Sequence, residues 1–240
     1  VAACARRLGT SAVVVMPADV PRTKAEKTRA FGAEVLFYDR QREDRVAIAK
    51  RLMQERGLVM VPPFEDRWVM AGAGTVALET VQQAAAIGAP LDAMIACCSG
   101  GGLAAGTALV IRALLPNAEV LAAEPAGFDD TARSLAAGHR VANEPGLTSI
   151  CDSVLAPMPG ELTFEVNRRN LSGAVAVTDD EVIEAMRTAF RDLGLVAEPG
   201  GSVALASVLT GRFPLNGRTV AVTLSGSNVD LASALQWMAG

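Results

Sequence analysis

Cys98-Ser99-Gly100-Gly101-Gly102-Leu103 is the segment of this 240-residue chain with the clearest capacity for chemistry. It leaves an apolar run, Ala93–Cys98, and enters a helical pattern, Leu103–Leu115. Successive glycines let backbone N–H groups approach a ligand with no Cβ in the way, and a helix N-terminus adds positive potential. The corresponding chemistry is capture of a phosphate. A tight turn at positive φ needs fewer than three glycines, which favours a phosphate cup. Gly100-x-Gly102-x-x-Ala105 also fits a loose dinucleotide fingerprint. Glu124 follows about 20 residues on, where a ribose-binding acid belongs. The spacing leaves both phosphate readings open.

Two other segments carry polar groups at strand ends. Leu224-Ser225-Gly226-Ser227-Asn228 follows the last apolar run. Ligands of open α/β sheets bind at the carboxyl ends of strands, so a hydroxyl here can face a ring atom; a plain polar turn is the alternative. Glu124-Pro125-Ala126-Gly127-Phe128-Asp129-Asp130 puts acids and a free carbonyl in one turn, a donor set for a hard cation. The same acids equally suit a helix start. Other chemistries are poorly served. The only histidine is His139, and Cys4, Cys97, Cys98 and Cys151 form no C-x-x-C, which argues against zinc. No G-x-S-x-G elbow supports a serine nucleophile. The thiols read as buried and free in a reducing compartment.

The elements that must position these residues alternate. Ser11–Met16, Glu34–Tyr38, Leu58–Val61, Ala93–Cys98, Ala118–Ala123 and Thr219–Leu224 read as strands. Lys24–Phe31, Arg45–Glu55, Val69–Ile87, Leu103–Leu115, Glu181–Leu193 and Gly201–Leu209 read as helices, and Thr178–Glu181 is a capping box. The first residues read as the middle of a helix, and His139–Glu161 as irregular. Strands apolar throughout, alternating with helices, predict an α/β fold of mostly parallel sheets with helices on both faces. Pro62-Pro63 and the longer elements beyond suggest a small α/β domain over 1–68 and a large one over 69–240.

Half the residues are apolar, a fifth are charged and the net charge is −4, which excludes a disordered chain and disfavours nucleic acid as a partner. The uncharged stretch Ala93–Ile111 approaches membrane-spanning length, but Ser99–Gly102 interrupts it. No membrane partner is expected. The absence of a signal-peptide pattern, with the thiol usage, points to the cytoplasm.

The order of these features resembles fold-type II pyridoxal-phosphate (PLP) enzymes of the serine/threonine dehydratase and serine racemase family. The resemblance rests on Lys27–Val35, Ala71–Thr75 before a helix carrying Glu79, Ser99–Leu103, Glu124–Asp130, Glu198-Pro199 and Ser225–Asp230. It implies the two-domain architecture of that family. It also implies that Ser99, Gly100, Gly101, Gly102 and Leu103 hold the PLP phosphate, and that the Ser225 hydroxyl faces the pyridine nitrogen. A neutral hydroxyl there makes the ring a milder electron sink than an Asp partner would, which suits β-elimination. Glu124, the Phe128 carbonyl and Asp130 match a site for a divalent cation such as Mg or Ca. Glu198 matches an acid near the cofactor.

Ala73 stands where the family usually has Gln, and Ser99 and Ser227 where it usually has Gly; these are expected to tune binding rather than abolish it. The family also requires a lysine that forms a Schiff base with PLP, in an N-terminal segment. Only Lys24, Lys27 and Lys50 are present. Lys24 and Lys27 match non-catalytic positions of the family, and Lys50 sits among Arg45, Arg51 and Glu55 on an amphipathic helix, where a solvated surface charge is expected. The expectation is therefore an N-terminally truncated dehydratase, converting L-threonine or L-serine to a 2-oxo acid and ammonia when complete and inactive as this chain alone. A serine or hydroxyaspartate racemase/dehydratase, an NAD-binding domain and a non-catalytic fragment are the alternatives. The expected partner is a small hydroxy amino acid, with a homodimer in the complete enzyme.

Overall fold

The computed structural model describes residues 1–40 and 42–238. They fall into two compact units, Val1–Val61 with the residues from Asn228 onward, and Pro62–Ser227. In the first unit, α1 (Ala2–Arg7) precedes β1 (Val13–Pro17), α2 (Arg22–Ala30), β2 (Glu34–Tyr38) and α3 (Arg45–Arg56). β1 and β2 pair in parallel, Val13 opposite Glu34. Asp44 caps α3 by accepting the Val46 N–H at 2.7 Å, and Gly57 closes it at φ 63. Leu58–Val61, expected as a strand, is irregular. Val59 is 89% exposed, and no neighbouring strand takes up this segment's backbone groups among the described residues.

The second unit holds α4 (Arg67–Ala86), β3 (Ala93–Cys97), α5 (Gly102–Leu114), β4 (Glu119–Pro125), α6 (Asp130–Ala137), α7 (Glu161–Asn170), β5 (Gly173–Val177), α8 (Asp179–Leu193), α9 (Pro199–Leu209) and β6 (Val220–Val222). α10 (Leu231–Met238) returns the chain to the first unit. There the Asp230 carboxylate accepts the Arg22 and Thr23 N–H groups at 3.3 and 3.2 Å. It caps α2, whose own N-cap, Pro21, offers no side-chain acceptor.

The sheet of the second unit runs β5-β4-β3-β6, parallel throughout. β3 is buried at every residue, which is why its sequence is apolar without alternation. Met94 faces α5, in a core with Ala77, Ala108, Ile111, Ala118 and Val120. On the opposite face Cys97 reaches α9, its Sγ 3.5 Å from the Gly201 carbonyl. β6, expected as a buried strand, is a half-buried edge of three residues, since only β3 pairs with it among the described strands. α6, α7, β5 and α10 are short elements that periodicity does not mark. Apart from a 3-10 turn at Asp152–Val154, the segment between His139 and Glu161 is irregular, as expected. Among the described residues no helix is long and apolar enough to cross a membrane. The uncharged stretch Ala93–Ile111 is divided between β3, the glycine loop and α5.

α5 is placed by a glycine contact. A Cβ on Gly106 would lie 2.4 Å from the Met70 carbonyl and 2.6 Å from the Gly74 nitrogen, so the α4 and α5 backbones touch there. Gly106→Ala is therefore expected to lower stability by about 1–3 kcal/mol in urea unfolding, because neither backbone can yield without shifting its helix. Gly72→Ala, on α4 with nothing within 4 Å of the new Cβ, is expected to raise it by about 0.5–1 kcal/mol through helix propensity alone.

Candidate active site

The glycine loop leaves the buried end of β3, where the Cys98 N–H bonds the Ala123 carbonyl at 2.8 Å. Gly101, at φ +93, is the N-cap of α5, and no side chain caps that helix. The loop carbonyls are taken. Gly100 O accepts the Thr163 hydroxyl at 2.5 Å and the Gly160 N–H at 3.2 Å. Gly101 O accepts the Asn167 side-chain amide at 3.3 Å and the Ala105 N–H at 2.8 Å. The first-turn N–H groups of Gly102, Leu103 and Ala104 have no intrahelical acceptor. Gly102 and Ala104 are buried, so this uncapped terminus suits an anion such as a phosphate. Ser99 contributes differently, its hydroxyl accepting the Ala156 N–H at 3.1 Å and tying the loop to the irregular segment.

The glycines also permit close packing. A Cβ on Gly100 would fall 2.3 Å from the Phe64 ring, and one on Gly101 2.7 Å from the Asn167 amide nitrogen. Neither Phe64 nor Thr163 and Asn167 carry a sequence signal. They follow no motif and come from segments distant in the chain.

Ser225 lies at the carboxyl end of β6, beside the end of β3. Its N–H bonds the Gly201 carbonyl at 3.2 Å, and a Cβ on Gly201 would overlap the Ser225 carbonyl at 1.5 Å. The Glu198 N–H bonds Gly226 O at 3.0 Å, and the buried Glu198 side chain lies against Gly226, which sits at φ +74. The first turn of α9 and the Ser225–Gly226 turn are thus one packed unit. Cys97, between Gly201 and the glycine loop, links them, and the Thr223 hydroxyl donates to its Sγ at 3.4 Å.

Glu124, Phe128 and Asp130 lie at the end of β4, and all three are buried. The Glu124 carboxylate accepts the Thr131 and Ala132 N–H groups, each at 2.9 Å, and so caps α6. That orientation corrects the dinucleotide reading: the carboxylate that a ribose would need is turned inward, with both oxygens engaged on α6. Asp130 Oδ1 accepts the Asn143 amide at 2.7 Å, while its buried Oδ2 has no hydrogen-bond partner. Burial, reinforced by the nearby Asp130, pushes Glu124 up to about 8. Burial likewise pushes Asp130 up to about 6. Two raised carboxyls, one with an orphaned oxygen, are the oxygen-donor chemistry that a hard divalent cation takes. Among the described residues, no cluster of three or more His, Cys, Asp and Glu side chains has metal-holding geometry; the third donor expected here is a carbonyl.

The cysteines are free. Cys97, Cys98 and Cys151 are buried and their thiols pushed up by burial, whereas Cys4 is exposed, against the expectation that all four are buried. Lys24 and Lys27 lie on α2 and Lys50 on α3, all in the first unit. Lys27 donates to the Asn228 side-chain carbonyl at 3.2 Å, and Lys50 is exposed.

A model of the pyridoxal-phosphate dependent enzyme family matches residues 1–226. The chain belongs to that family. It is 32% identical over 231 residues to the serine racemase of Schizosaccharomyces pombe, covering 96% of this chain and 70% of the relative. It is 36% identical over 231 residues to the L-threo-3-hydroxyaspartate ammonia-lyase of a Pseudomonas species, covering 96% and 71%. The crystal structure of maize serine racemase superimposes with a TM-score of 0.89 at 33% identity, covering 99% of this chain and 72% of that one. A crystal structure of a threonine deaminase superimposes with a TM-score of 0.86 at 38% identity, covering 96% and 73%. The architecture described above is therefore that of a fold-type II PLP enzyme, an α/β fold of parallel sheets and helices.

The raised carboxyls set a pH dependence. Folding takes up a proton at Glu124 between its ordinary 4.5 and about 8. The native state binds more protons in that window, so stability falls as pH rises through it. In chelator, the melting temperature is expected to decline from about pH 5 to about pH 8, and Glu124→Gln to flatten the decline. Mg or Mn salts are expected to raise the melting point most at the alkaline end. A pH-independent melting curve in chelator would show that the carboxyl titrates normally.

Proposed function

We propose that this chain is a PLP-dependent hydroxy-amino-acid dehydratase sequence, an ammonia-lyase of the threonine/serine type. One observation carries the reading: a buried α5 N-terminus, uncapped, with its loop carbonyls occupied by α7, at the carboxyl end of a fully buried parallel strand. The family membership supplies the cofactor, and the ammonia-lyase and threonine deaminase relatives supply the reaction class. The serine racemases among the relatives support racemisation as the second reading on the same site.

The residues divide the work. The N–H groups at Ser99–Leu103 bind the cofactor phosphate, since they need an acceptor and the α5 dipole favours one. Ser225 faces the pyridine nitrogen with a hydroxyl, which leaves that nitrogen without the proton an Asp partner would hold there. Glu198 stands against the same turn. Glu124, the Phe128 carbonyl and Asp130 hold a divalent cation that offsets their mutual repulsion and secures α6. When bound, PLP supplies an electron sink for the charge left at the substrate Cα after proton removal. The small and large domains of this architecture are read as the first and second units, so the boundary expected at 68/69 moves to Val61/Pro62 and the residues from Asn228 onward join the small domain. Residues 62–227 contain no lysine, so the second unit provides no amine to anchor the cofactor or take the Cα proton.

Two measurements test this. Purified chain is expected to bind PLP saturably, with Gly101→Ala raising the dissociation constant about tenfold, because a Cβ 2.7 Å from the Asn167 amide nitrogen forces the loop and its N–H groups to shift. The same chain is expected to give no 2-oxo acid from L-serine or L-threonine. Turnover, or borohydride attachment of the cofactor to Lys24, Lys27 or Lys50, would refute the assignment of these lysines as non-catalytic.

A further inference from the structure

The glycine loop is held in place by a residue outside every motif. α7 starts at Gly160, which has no side chain with which to cap its helix. Glu65, from the segment before α4, takes that role. Its Oε2 accepts the Leu162 N–H at 3.2 Å and its Oε1 the Thr163 N–H at 3.3 Å. The fit is close: a Cβ on Gly160 would lie 1.9 Å from Glu65 Oε1. The Thr163 hydroxyl has one proton and gives it to Gly100 O at 2.5 Å, rather than to Glu65 at 3.4 Å. The first turn of α7 is therefore tied to Glu65 on one side and to the loop carbonyl on the other.

The neighbour of Glu65 closes the arrangement. Phe64 lies on the loop, its ring filling the space of a Cβ on Gly100 and its own Cβ 3.0 Å from where a Gly102 Cβ would be. Anchoring Glu65 on α7 thus also presses Phe64 against the loop. With Gly100 O drawn toward α7 and Phe64 across the glycines, the loop is left one way to present its N–H groups.

We propose that Glu65 is a positioning residue for the cofactor phosphate: by capping α7 it clamps Phe64 and Thr163 onto the glycine loop and orients the loop N–H groups. The proposal rests on Ser99–Leu103 being the phosphate cup. It predicts that removing a carboxylate which need not touch the cofactor weakens cofactor binding.

The test uses the full chain, with PLP affinity from equilibrium dialysis and amide hydrogen exchange at Leu162 and Thr163. Glu65→Ala is expected to raise the PLP dissociation constant about fivefold, as the roughly 1 kcal/mol by which the cap holds α7 is lost to the ordering of the loop, and to deprotect both amides. Glu65→Gln keeps one accepting oxygen for two N–H groups and is expected to recover part of each loss. If Glu65→Ala does not fold, the Glu65→Gln dissociation constant decides, with a rise of about two- to threefold expected. Unchanged or tighter PLP binding in the variants would overturn the proposal alone, as would unchanged amide protection. No PLP binding by the parent chain would overturn the phosphate cup and this proposal with it, even if the amides deprotect.

Discussion

A helix that begins immediately behind a buried strand, with glycine as its N-cap, has no side chain to satisfy its first N–H groups. That constraint at Gly101 shapes most of the second unit. The terminus cannot be left dry and unbonded without cost, and it is aimed at the carboxyl end of a parallel sheet, where a phosphate can meet it. For the N–H groups to face outward, the loop carbonyls need partners on the other side, and α7 provides them through Thr163 and Asn167. For α5 to lie at the required depth, Gly106 must let it touch α4. For the Ser225 turn to pack on α9, Gly201 must let the two backbones touch. Each glycine in this set is an approach distance, not merely a turn.

Electrostatics adds a second constraint at the end of β4. Burying Glu124 and Asp130 together is unfavourable, and hydrogen bonds from α6 and Asn143 offset only part of that. The result is a pair of carboxyls pushed toward neutrality and an oxygen with no partner. A structure with a purely packing role here would have used apolar residues. Glu124 instead serves as the cap of α6, while one Asp130 oxygen stays without a partner.

Much of this was legible before any coordinates. β-branched and apolar runs marked β1 to β4 to within about two residues; β3 and β4 are apolar without alternation because they are buried on both faces, whereas β1 and β2 are only partly buried. Thr178 and Glu181 marked the start of α8 through reciprocal capping. The ordered set of glycines, acids and serines pointed to the family that the comparisons then showed. Leu58–Val61 misled because β-branched composition marks a capacity for pairing, whereas pairing itself requires a neighbour. α7 and β5 were missed because of their composition: α7 is mostly polar, with few apolar residues to mark a face, and β5 is built of Gly, Ala and Val without a bulky apolar run.

By itself, then, the sequence determined the fold class, the run of glycines between a buried strand and a helix at Ser99–Leu103, and the acids at the end of β4, since these follow from local pattern and local chemistry. Only the tertiary structure decided what each group is engaged with. It turned Glu124 onto α6 and so removed it from any ribose, engaged the Ser99 hydroxyl with Ala156, and brought Phe64, Glu65, Thr163 and Asn167 to the loop. The physical reason is that hydrogen bonds and close contacts between residues far apart in the chain leave no periodic trace. They are set by which helix packs on which strand, and that is resolved only when the whole core is assembled.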